Sequence, residues 1–234
     1  MSTPPAPGSG PGESAATASA AALLVQRALS APRLATYVRA SGGDLEAGVE
    51  LYEWNAALAG ALWEVLGHVE IVLRNALHQA LSDRHQRLGR VGEWYDDLAG
   101  ELEQHARDDV AKAVRRLRRA GAPVLPGKVV AELSFGFWRF LLARRYTASL
   151  WPAVRPAFPY LPSADRRVLE EPVARLHLLR NRVAHHEPLI AEPLSARYAG
   201  MLLVVGAVDP GLRAWVAANN RLLEVLGRRP DPSN

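Results

Sequence analysis

The chain contains no cysteine and no long apolar run, and both shortages exclude classes of protein. Without cysteine there are no disulfides and no thiolate metal sites, which leaves a reducing cytoplasm as the expected compartment. The longest apolar runs, AATASAAALLV and MLLVVGAV, are too short to span a bilayer. No basic stretch precedes the alanine-rich run, whereas a secretory signal has one. We therefore expect a cytoplasmic protein without a membrane span.

Lysine is also scarce, because Lys112 and Lys128 are the only lysines among 28 cationic residues. The formal net charge of +4 is consequently carried almost entirely by arginine, which recognises phosphate through two parallel hydrogen bonds. A GC-rich coding sequence also favours arginine over lysine. Composition therefore permits a nucleic-acid partner without requiring one.

Residues 1–19 are proline, glycine, serine and alanine with almost no large apolar side chain, which predicts a disordered tail. From Leu23 onward apolar residues recur every three or four positions, and the alternation typical of strands is hard to find. We predict an all-α protein, with a single helical domain over 20–228 and a loose tail over 229–234. No Gly-rich phosphate loop, nucleophile elbow or HExxH pattern is present, so the common nucleotide-hydrolase and protease classes lack support.

Turn residues divide this region into predicted helices. SGGD at 41–44 supplies a turn and an N-cap, Pro188 ends the helix before it, and Asp209-Pro210-Gly211 breaks the last segment. The loop APVLPG at 122–127 and the proline-rich connector WPAVRPAFPYLP separate the middle segments. The predicted helical segments are 21–40 with an interruption near Ala31-Pro32, 45–85 as one long helix or two nearly collinear ones, 96–120, 129–151, 164–186, and 194–227 as one or two helices.

The stretch RLHLLRNRVAHHEPL at 175–189 carries the first polar cluster. His177, Asn181 and His185 are four residues apart and share one helix face, and Arg180 reaches the same volume from the neighbouring stripe. The apolar stripe of this helix points elsewhere. Two interpretations remain open: a functional site, or a helix end where protonated imidazoles interact with the dipole by roughly 0.3–1 kcal/mol.

A second polar stripe lies in HVEIVLRNALHQ at 68–79, where Glu70, Arg74 and His78 are spaced four apart. Glu70 and Arg74 stand in the favourable order for a helix ion pair, although a solvated surface pair is the simpler interpretation. Both helices carry Arg-Asn on a polar face followed by histidine. This repetition would be expected if the polar faces of the two helices were in contact.

Other polar groups give weaker indications of function. One basic run is Arg144-Arg145, and another lies at the end of the predicted helix over 96–120. Both could contact the phosphate backbone of a nucleic acid, but such runs are usually solvated helix faces. A metal site from His177, His185, His186 and Glu70 is conceivable, yet adjacent histidines are poor ligands on one helix, so we expect no metal and no cofactor. The aromatics Trp94, Tyr95, Trp138 and Trp151 are predicted core or interface residues. The candidate RNA-binding residues are Arg115, Arg116, Arg118 and Arg119.

Four segments carry a resemblance to a known family. They are GGDLEAGVELYEWNAALAGALWEVLGHVEIVLRNAL, the WY at 94–95, ELSFGFWRFLL at 132–142 and LRNRVAHHEPL. Together they resemble the Abi-like (abortive infection) family of the HEPN superfamily, over nearly the whole chain after the tail. The superfamily signature is an arginine and a histidine separated by four to six residues, which Arg180 and His185 match with four residues between them.

The resemblance implies an HEPN-like helical bundle with additional flanking helices. It also implies a metal-independent endoribonuclease, a toxin or antiphage effector, with two signatures brought together in a homodimer. On this expectation His185 moves protons at the ribose 2′-hydroxyl, Arg180 stabilises the phosphorane, and Asn181 orients His185. The other expected site residues are auxiliary: Glu70 and Arg74 as a supporting ion pair, with His186, His177 and His78.

Glu187 departs from one pattern within the superfamily. Members that are silenced by adenylylation have a tyrosine two residues after the histidine, where this chain has Glu187. Control by a nucleotidyltransferase antitoxin is therefore not expected, and an RNA or protein antitoxin would regulate the chain instead. The alternative function is a non-catalytic RNA- or protein-binding module in a defence or toxin–antitoxin system.

Overall fold

A computed structural model describes residues 11–97 and 99–230, with side chains from residue 20 onward. All regular structure in these ranges is helical, which confirms the all-α prediction. Three short 3-10 helices cover Trp94–Asp96, Arg144–Tyr146 and Arg155–Ala157. The α-helices are α1 (Pro11–Leu29), α2 (Ala31–Ala40), α3 (Leu45–Arg87), α4 (Gln104–Arg119), α5 (Pro126–Glu132), α6 (Phe135–Leu141), α7 (Trp151–Val154), α8 (Arg167–Ala184), α9 (Leu194–Val208), α10 (Pro210–Ala218) and α11 (Leu222–Gly227).

The chain ends are described only in part. Helix α1 begins at Pro11 and therefore includes residues 11–19, which the composition assigned to the tail. Residues 1–10 and 231–234 lie outside the described residues, so the loose ends predicted there stay predictions. The break predicted near Ala31-Pro32 is present between α1 and α2, where Ser30 has a positive φ of 73°.

Several predicted boundaries are confirmed by the hydrogen bonds that form them. The Oδ1 atom of Asp44 accepts from the backbone N–H of Ala47 at 2.9 Å and caps α3. The whole pattern that follows forms one uninterrupted helix of 43 residues. Asp209 caps α10 in the same way, with its Oδ1 2.6 Å from the amide nitrogen of Gly211.

The middle of the chain differs from the prediction. Helix α4 begins at Gln104 instead of about 96, because Asp97 adopts a left-handed conformation and its carboxylate accepts from the amide of Glu101 at 2.6 Å. The predicted helix over 129–151 is broken after Glu132. Leu133 is extended there, and the Ser134 hydroxyl starts α6 by accepting from the amide of Phe137. Local capping groups thus outweigh the apolar periodicity.

Helix α8 begins at Arg167, three residues later than predicted, and the proline-rich connector contains the short helix α7. The Asp165 carboxylate accepts from the backbone N–H of Arg167 at 2.9 Å, and the Ser163 hydroxyl accepts from the N–H of Asp165 at 3.1 Å. These turn contacts hold residues 163–166 outside the helix.

The chain divides by its contacts into two compact units within the region predicted as a single helical domain. The first contains residues up to Ala61 together with 188–191 and the segment from Arg221, and the second contains 62–187 and 192–220. The division falls within α3. Each unit has its own buried residues.

The first unit is held by polar groups as well as by apolar packing. The indole Nε1 of Trp54 donates to the carbonyl of Val225 at 2.8 Å and fixes α11. The buried side chain of Asn55 accepts from the amide of Leu189 at 2.7 Å, which anchors residues 188–191. Gly48 allows the close approach of α2, because a Cβ atom there would lie 2.7 Å from Val38 Cγ2.

In the second unit α8 packs against α6 and α9, and α9 packs against α10. Aromatic rings fill the space beside these helices. Trp94 and Tyr95 meet edge to face with ring centroids 5.6 Å apart, and Trp138 is fully buried against Phe137. Trp151 is also buried. The four aromatics predicted as core or interface residues are therefore core residues.

The loop after α3 is fixed by one carboxylate that binds two arginines. Glu101 accepts from both terminal nitrogens of Arg84 at 2.6 Å and from Arg90 Nη1 at 2.7 Å. These hydrogen bonds lower the pKa of Glu101 to about 2 against partial burial. The cluster joins the end of α3 to the segment that leads into α4.

Helix α3 is relevant to whether the chain has a membrane-spanning segment. In the described part of the chain it is the one helix long and apolar enough to cross a membrane, with mean hydropathy 1.5 over 18 residues. The core helix of a soluble protein meets the same criterion, and 39% of that window is buried here. The expected absence of a membrane span stays a prediction.

Replacing Asn55 with leucine should destabilise the protein by about 1–3 kcal/mol, because the buried amide of Leu189 loses its acceptor. Urea unfolding followed by circular dichroism measures the loss. Asn75→Ala is the control, since this exposed asparagine lies on the same helix, and its effect should stay within about 0.5 kcal/mol. Equal stabilities of the two variants would contradict the anchoring role of Asn55.

Glu101→Gln should lower the free energy of unfolding at pH 7 by about 1–3 kcal/mol. The pKa of this carboxyl is lower in the folded than in the unfolded state. Its contribution is therefore complete above pH 4.5 and is lost as the pH falls toward about 2. The variant should lose that part of the acid sensitivity, as measured by denaturation at a series of pH values. Glu103→Gln, at an exposed pair with Arg145, should leave the acid sensitivity nearly unchanged.

Candidate functional site

The polar residues of the site project from α8 and from the part of α3 that belongs to the second unit. On α8 the buried residues Leu169, Val173, Leu176, Leu179 and Val183 form one stripe. On α3 the stripe Val65, Leu66, Val69, Leu73 and Leu77 is buried in the same way. Glu70, Arg74, Arg180 and Asn181 lie outside these two buried stripes and are half-buried.

The two polar stripes meet at Arg180. Its Nε atom lies 3.9 Å from Glu70 Oε2, and its guanidinium carbon lies 5.7 Å from the ring centroid of Trp63. A distance of 3.9 Å is too long for a hydrogen bond, so charge attraction and the aromatic face hold the guanidinium. The contact joins the two Arg-Asn helices, whose meeting the sequence alone left open.

Glu70 has a different partner from the one predicted. No ion pair with Arg74 is present among the described residues, and Arg180 is the cation nearest to the carboxylate. Burial raises the pKa of Glu70, although the charges of Arg180 and Arg74 lower it. Desolvation thus outweighs the ion pair, which agrees with the long distance between the two groups.

His177 lies against α6. It contacts the rings of Phe135 and Phe140, and a Cβ atom at Gly136 would be only 3.1 Å from His177 Nε2. Burial lowers the pKa of His177, and the charges of Arg139 and Arg180 lower it further. The imidazole is therefore neutral at pH 7.

Asn181 links Arg180 to His177. Arg180 Nη1 donates to Asn181 Oδ1 at 3.5 Å, and Asn181 Nδ2 lies 3.4 Å from His177 Nε2, where the amide donates to a neutral imidazole. The Asn181 side chain makes no hydrogen bond to His185 within the described residues, and its expected role of orienting His185 stays a prediction. What His185 receives from Asn181 is a backbone contact, in which its amide donates to the Asn181 carbonyl at 2.9 Å.

Helix α8 ends at the two adjacent histidines. His185 is the C-cap, with an exposed side chain that has no hydrogen bond or ion pair within the described ranges. His186 has a φ of 54°, and its amide donates to the Val183 carbonyl while the Glu187 amide donates to the Arg182 carbonyl. These two bonds form a Schellman motif. His186 therefore has a structural place at the helix end, and His185 remains accessible.

His78, the last member of the α3 stripe, forms a hydrogen bond with the buried residue Trp94. Its Nδ1 atom accepts a hydrogen bond from Trp94 Nε1 at 2.9 Å. Burial lowers its pKa, against the charge of Glu93. His78 thus has a hydrogen-bond partner in the packed part of the second unit, and its expected auxiliary role stays a prediction.

The basic run of α4 is mostly accessible. Arg116 forms an ion pair with Glu132 at 2.8 Å and also donates to the Glu132 carbonyl. The other three arginines of the run are exposed and have no ion pair within residues 20–97 and 99–230: Arg115, Arg118 and Arg119. In those same ranges no group of three or more acidic or histidine side chains is arranged to hold a metal ion.

Two residues near the site, Trp63 and Arg139, were missed by the sequence analysis. Trp63 lies seven positions before Glu70 on α3, so helical spacing would have placed it on the same face. Arg139 lies far from His177 in sequence, and no local pattern indicates that contact. Trp94 was a predicted core or interface residue, but its hydrogen bond to His78 was not predicted. The effect of Arg139 on the pKa of His177 and the hydrogen bond of Trp94 to His78 both depend on tertiary packing.

Comparison with protein-family models, with curated proteins and with solved structures finds no significant match to this chain. The all-α class is shown by the helices themselves. The resemblance to the Abi-like family stays a prediction, and the function is argued from the geometry of the α3 and α8 residues.

Arg139→Ala should raise the pKa of His177, because a nearby positive charge no longer opposes protonation. Two-dimensional NMR of the imidazole groups measures this titration. His78 is an internal control, since burial and the charge of Glu93 set its shift. An unchanged His177 pKa in the variant, or an equal change at His78, would contradict the described environment.

Proposed function

We propose that this chain is a metal-independent endoribonuclease that acts through Arg180 and His185. The meeting of Arg180 with Glu70 and Trp63 carries this proposal. These contacts hold the Arg180 guanidinium at a partly exposed surface beside the end of α8, where some of its N–H donors have no hydrogen-bond acceptor among the described residues. The resemblance of the LRNRVAHHEPL stretch to the HEPN signature supports the same pair of residues.

The donors of Arg180 suit a phosphate ligand. Its Nη1 atom makes one long contact of 3.5 Å to Asn181, and Nη2 has no hydrogen bond to the described part of the chain. By contrast, both terminal nitrogens of Arg84 donate to Glu101 at 2.6 Å. Arg180 is thus oriented by its neighbours and retains hydrogen bonds to give to phosphate oxygens.

The proposed reaction is an internal transfer within RNA. His185 takes the proton of a ribose 2′-hydroxyl, and the 2′-oxygen attacks the adjacent phosphorus. Arg180 stabilises the charge that grows on the phosphate oxygens. The bond from phosphorus to the 5′-oxygen then breaks. That oxygen takes a proton from solvent water, and the protonated His185 returns its proton to solvent. The products are a 2′,3′-cyclic phosphate and a 5′-hydroxyl, with no metal or cofactor consumed.

A second copy of the chain suits this surface. Trp63, Ile71 and Leu178 are large apolar residues that are 50%, 47% and 62% exposed on α3 and α8. A homodimer that covers such side chains would place two Arg180–His185 pairs in one assembly. We place this dimer in the cytoplasm, in a defence or toxin–antitoxin system, with an RNA or protein antitoxin as regulator.

A non-catalytic RNA-binding module is the second candidate. Arg115, Arg118 and Arg119 favour it, because they are exposed on one helix and have no ion pair to the described residues. They can neutralise successive backbone phosphates without any chemistry at His185. On this alternative the α4 arginines determine the biological effect and the end of α8 does not.

The decisive experiment compares RNA cleavage by the wild type with cleavage by His185→Ala and Arg180→Ala. Loss of proton transfer should slow cleavage by about 10²–10⁴-fold, and loss of the guanidinium by about 10²–10³-fold. Sequencing of 5′-hydroxyl ends in total RNA from expressing cells measures the products. Addition of a chelator should leave the wild-type rate unchanged.

Arg175→Ala is the matched control, because this exposed arginine lies on α8 and pairs only with Glu171 among the residues described. It should cleave like the wild type. Cleavage by both site variants at the wild-type rate, in proteins that unfold at the wild-type temperature, would reject the proposal. If Arg118→Ala then abolished the cellular effect, the binding module would take its place.

A further inference from the structure

A cavity of about 530 Å³ opens at the beginning of α8, within the second unit. It lies roughly 20 Å from Arg180, given thirteen residues at 1.5 Å each along the helix. It is therefore separate from the Arg180–His185 site. Its size falls in the range of pockets that hold small organic ligands. The side chains that line it include Arg144, Thr147, Trp151, Asp165, Arg166 and Arg167.

Arg166 is the fixed cation of this cavity. Its side chain is 9% exposed, and its guanidinium donates to the Leu142 carbonyl and, through Nε, to Thr147 Oγ1 at 3.2 Å. Glu170 lies 3.7 Å from Nη1. The Nη2 atom has no hydrogen bond to the described residues. A buried arginine on the cavity wall thus keeps a donor that a ligand can use.

Arg144 is held close to the same position. Its carbonyl accepts from Thr147 Oγ1 at 2.7 Å, and the same hydroxyl oxygen accepts from Arg166. The hydroxyl thereby ties the backbone of one arginine to the guanidinium of the other. The Arg144 side chain is exposed and has no ion pair in the described part of the chain.

The charge of the cavity wall is positive. Three arginines face one aspartate, and Asp165 is already paired with Arg167 at 2.8 Å. The positive end of the α8 dipole lies beside them. The indole of Trp151 adds an apolar wall, fixed by its Nε1 donating to the Ala164 carbonyl at 3.2 Å. Positive charge next to a flat apolar wall suits a ligand with both an anionic and an aromatic part.

We infer that this cavity binds the 5′-phosphate of a nucleotide, with Arg144 and Arg166 on the phosphate oxygens and the base toward Trp151. A free mononucleotide and the 5′-phosphorylated end of an RNA carry the same chemistry. The site is independent of the proposed cleavage site at the other end of α8, so either can exist without the other.

Isothermal titration calorimetry of the full chain tests this site with AMP, adenosine and inorganic phosphate. AMP should bind, and adenosine should bind at least about tenfold more weakly because it lacks the charged group. Arg144→Ala should weaken AMP binding about tenfold or more. Arg145→Ala should bind AMP like the wild type, because this neighbouring arginine lies outside the cavity and pairs with Glu103.

A pair of short RNAs, one with a 5′-phosphate and one with a 5′-hydroxyl, distinguishes the two sources of the ligand. Tighter binding of the phosphorylated RNA than of AMP would assign the site to RNA ends, and weaker binding would assign it to free nucleotides. No binding of AMP at millimolar concentration, phosphate binding as tight as AMP binding, or equal losses in the two arginine variants would overturn the inference. The AMP titrations do not depend on RNA cleavage, so failure of this inference and failure of the proposed function can be told apart.

Discussion

The burial of one apolar stripe on α3 and one on α8 is the constraint on which the candidate site depends. Each fully buried leucine or valine contributes about 1.5–3 kcal/mol, whereas an exposed ion pair contributes about 0–1 kcal/mol. Packing therefore determines the orientation of both helices. Arg180 and Glu70 lie on the helix faces that do not take part in this packing, and they meet there. Their long 3.9 Å contact is a result of the packing.

The helical periodicity was sufficient to predict the all-α class, and the turn residues predicted the break at Asp209. For α3 the periodicity left open one long helix or two nearly collinear ones, and the structure has one. The periodicity failed where a single side chain decides the backbone. Asp97 holds a loop where a helix was expected, and Ser134 starts a new helix inside an apolar pattern. Such contacts are short-range, but their presence depends on which backbone amides come within reach. A pattern of apolar residues does not contain that information.

The site was predicted less completely than the fold. Spacing placed Arg180, Asn181 and the histidines on adjacent faces of one helix, and α8 has this arrangement for Arg180, Asn181 and His177, whereas His185 is its C-cap and His186 lies beyond its end. The partners of those residues come from tertiary packing. Glu70 is near Arg180 instead of Arg74, and His78 bonds to Trp94. A single sequence shows which residues share a face, and it does not show what lies opposite that face.

The arginines of this chain differ in how their donors are used, and this difference separates structural from functional candidates. Arg84 gives both terminal nitrogens to Glu101 and joins a loop to a helix. Arg180 is oriented by a distant carboxylate and an aromatic face, and Arg166 is buried with one terminal nitrogen unbonded within the described residues. Orienting an arginine without saturating it lowers the entropy cost of binding an anion. Both proposed sites contain an arginine of this second kind.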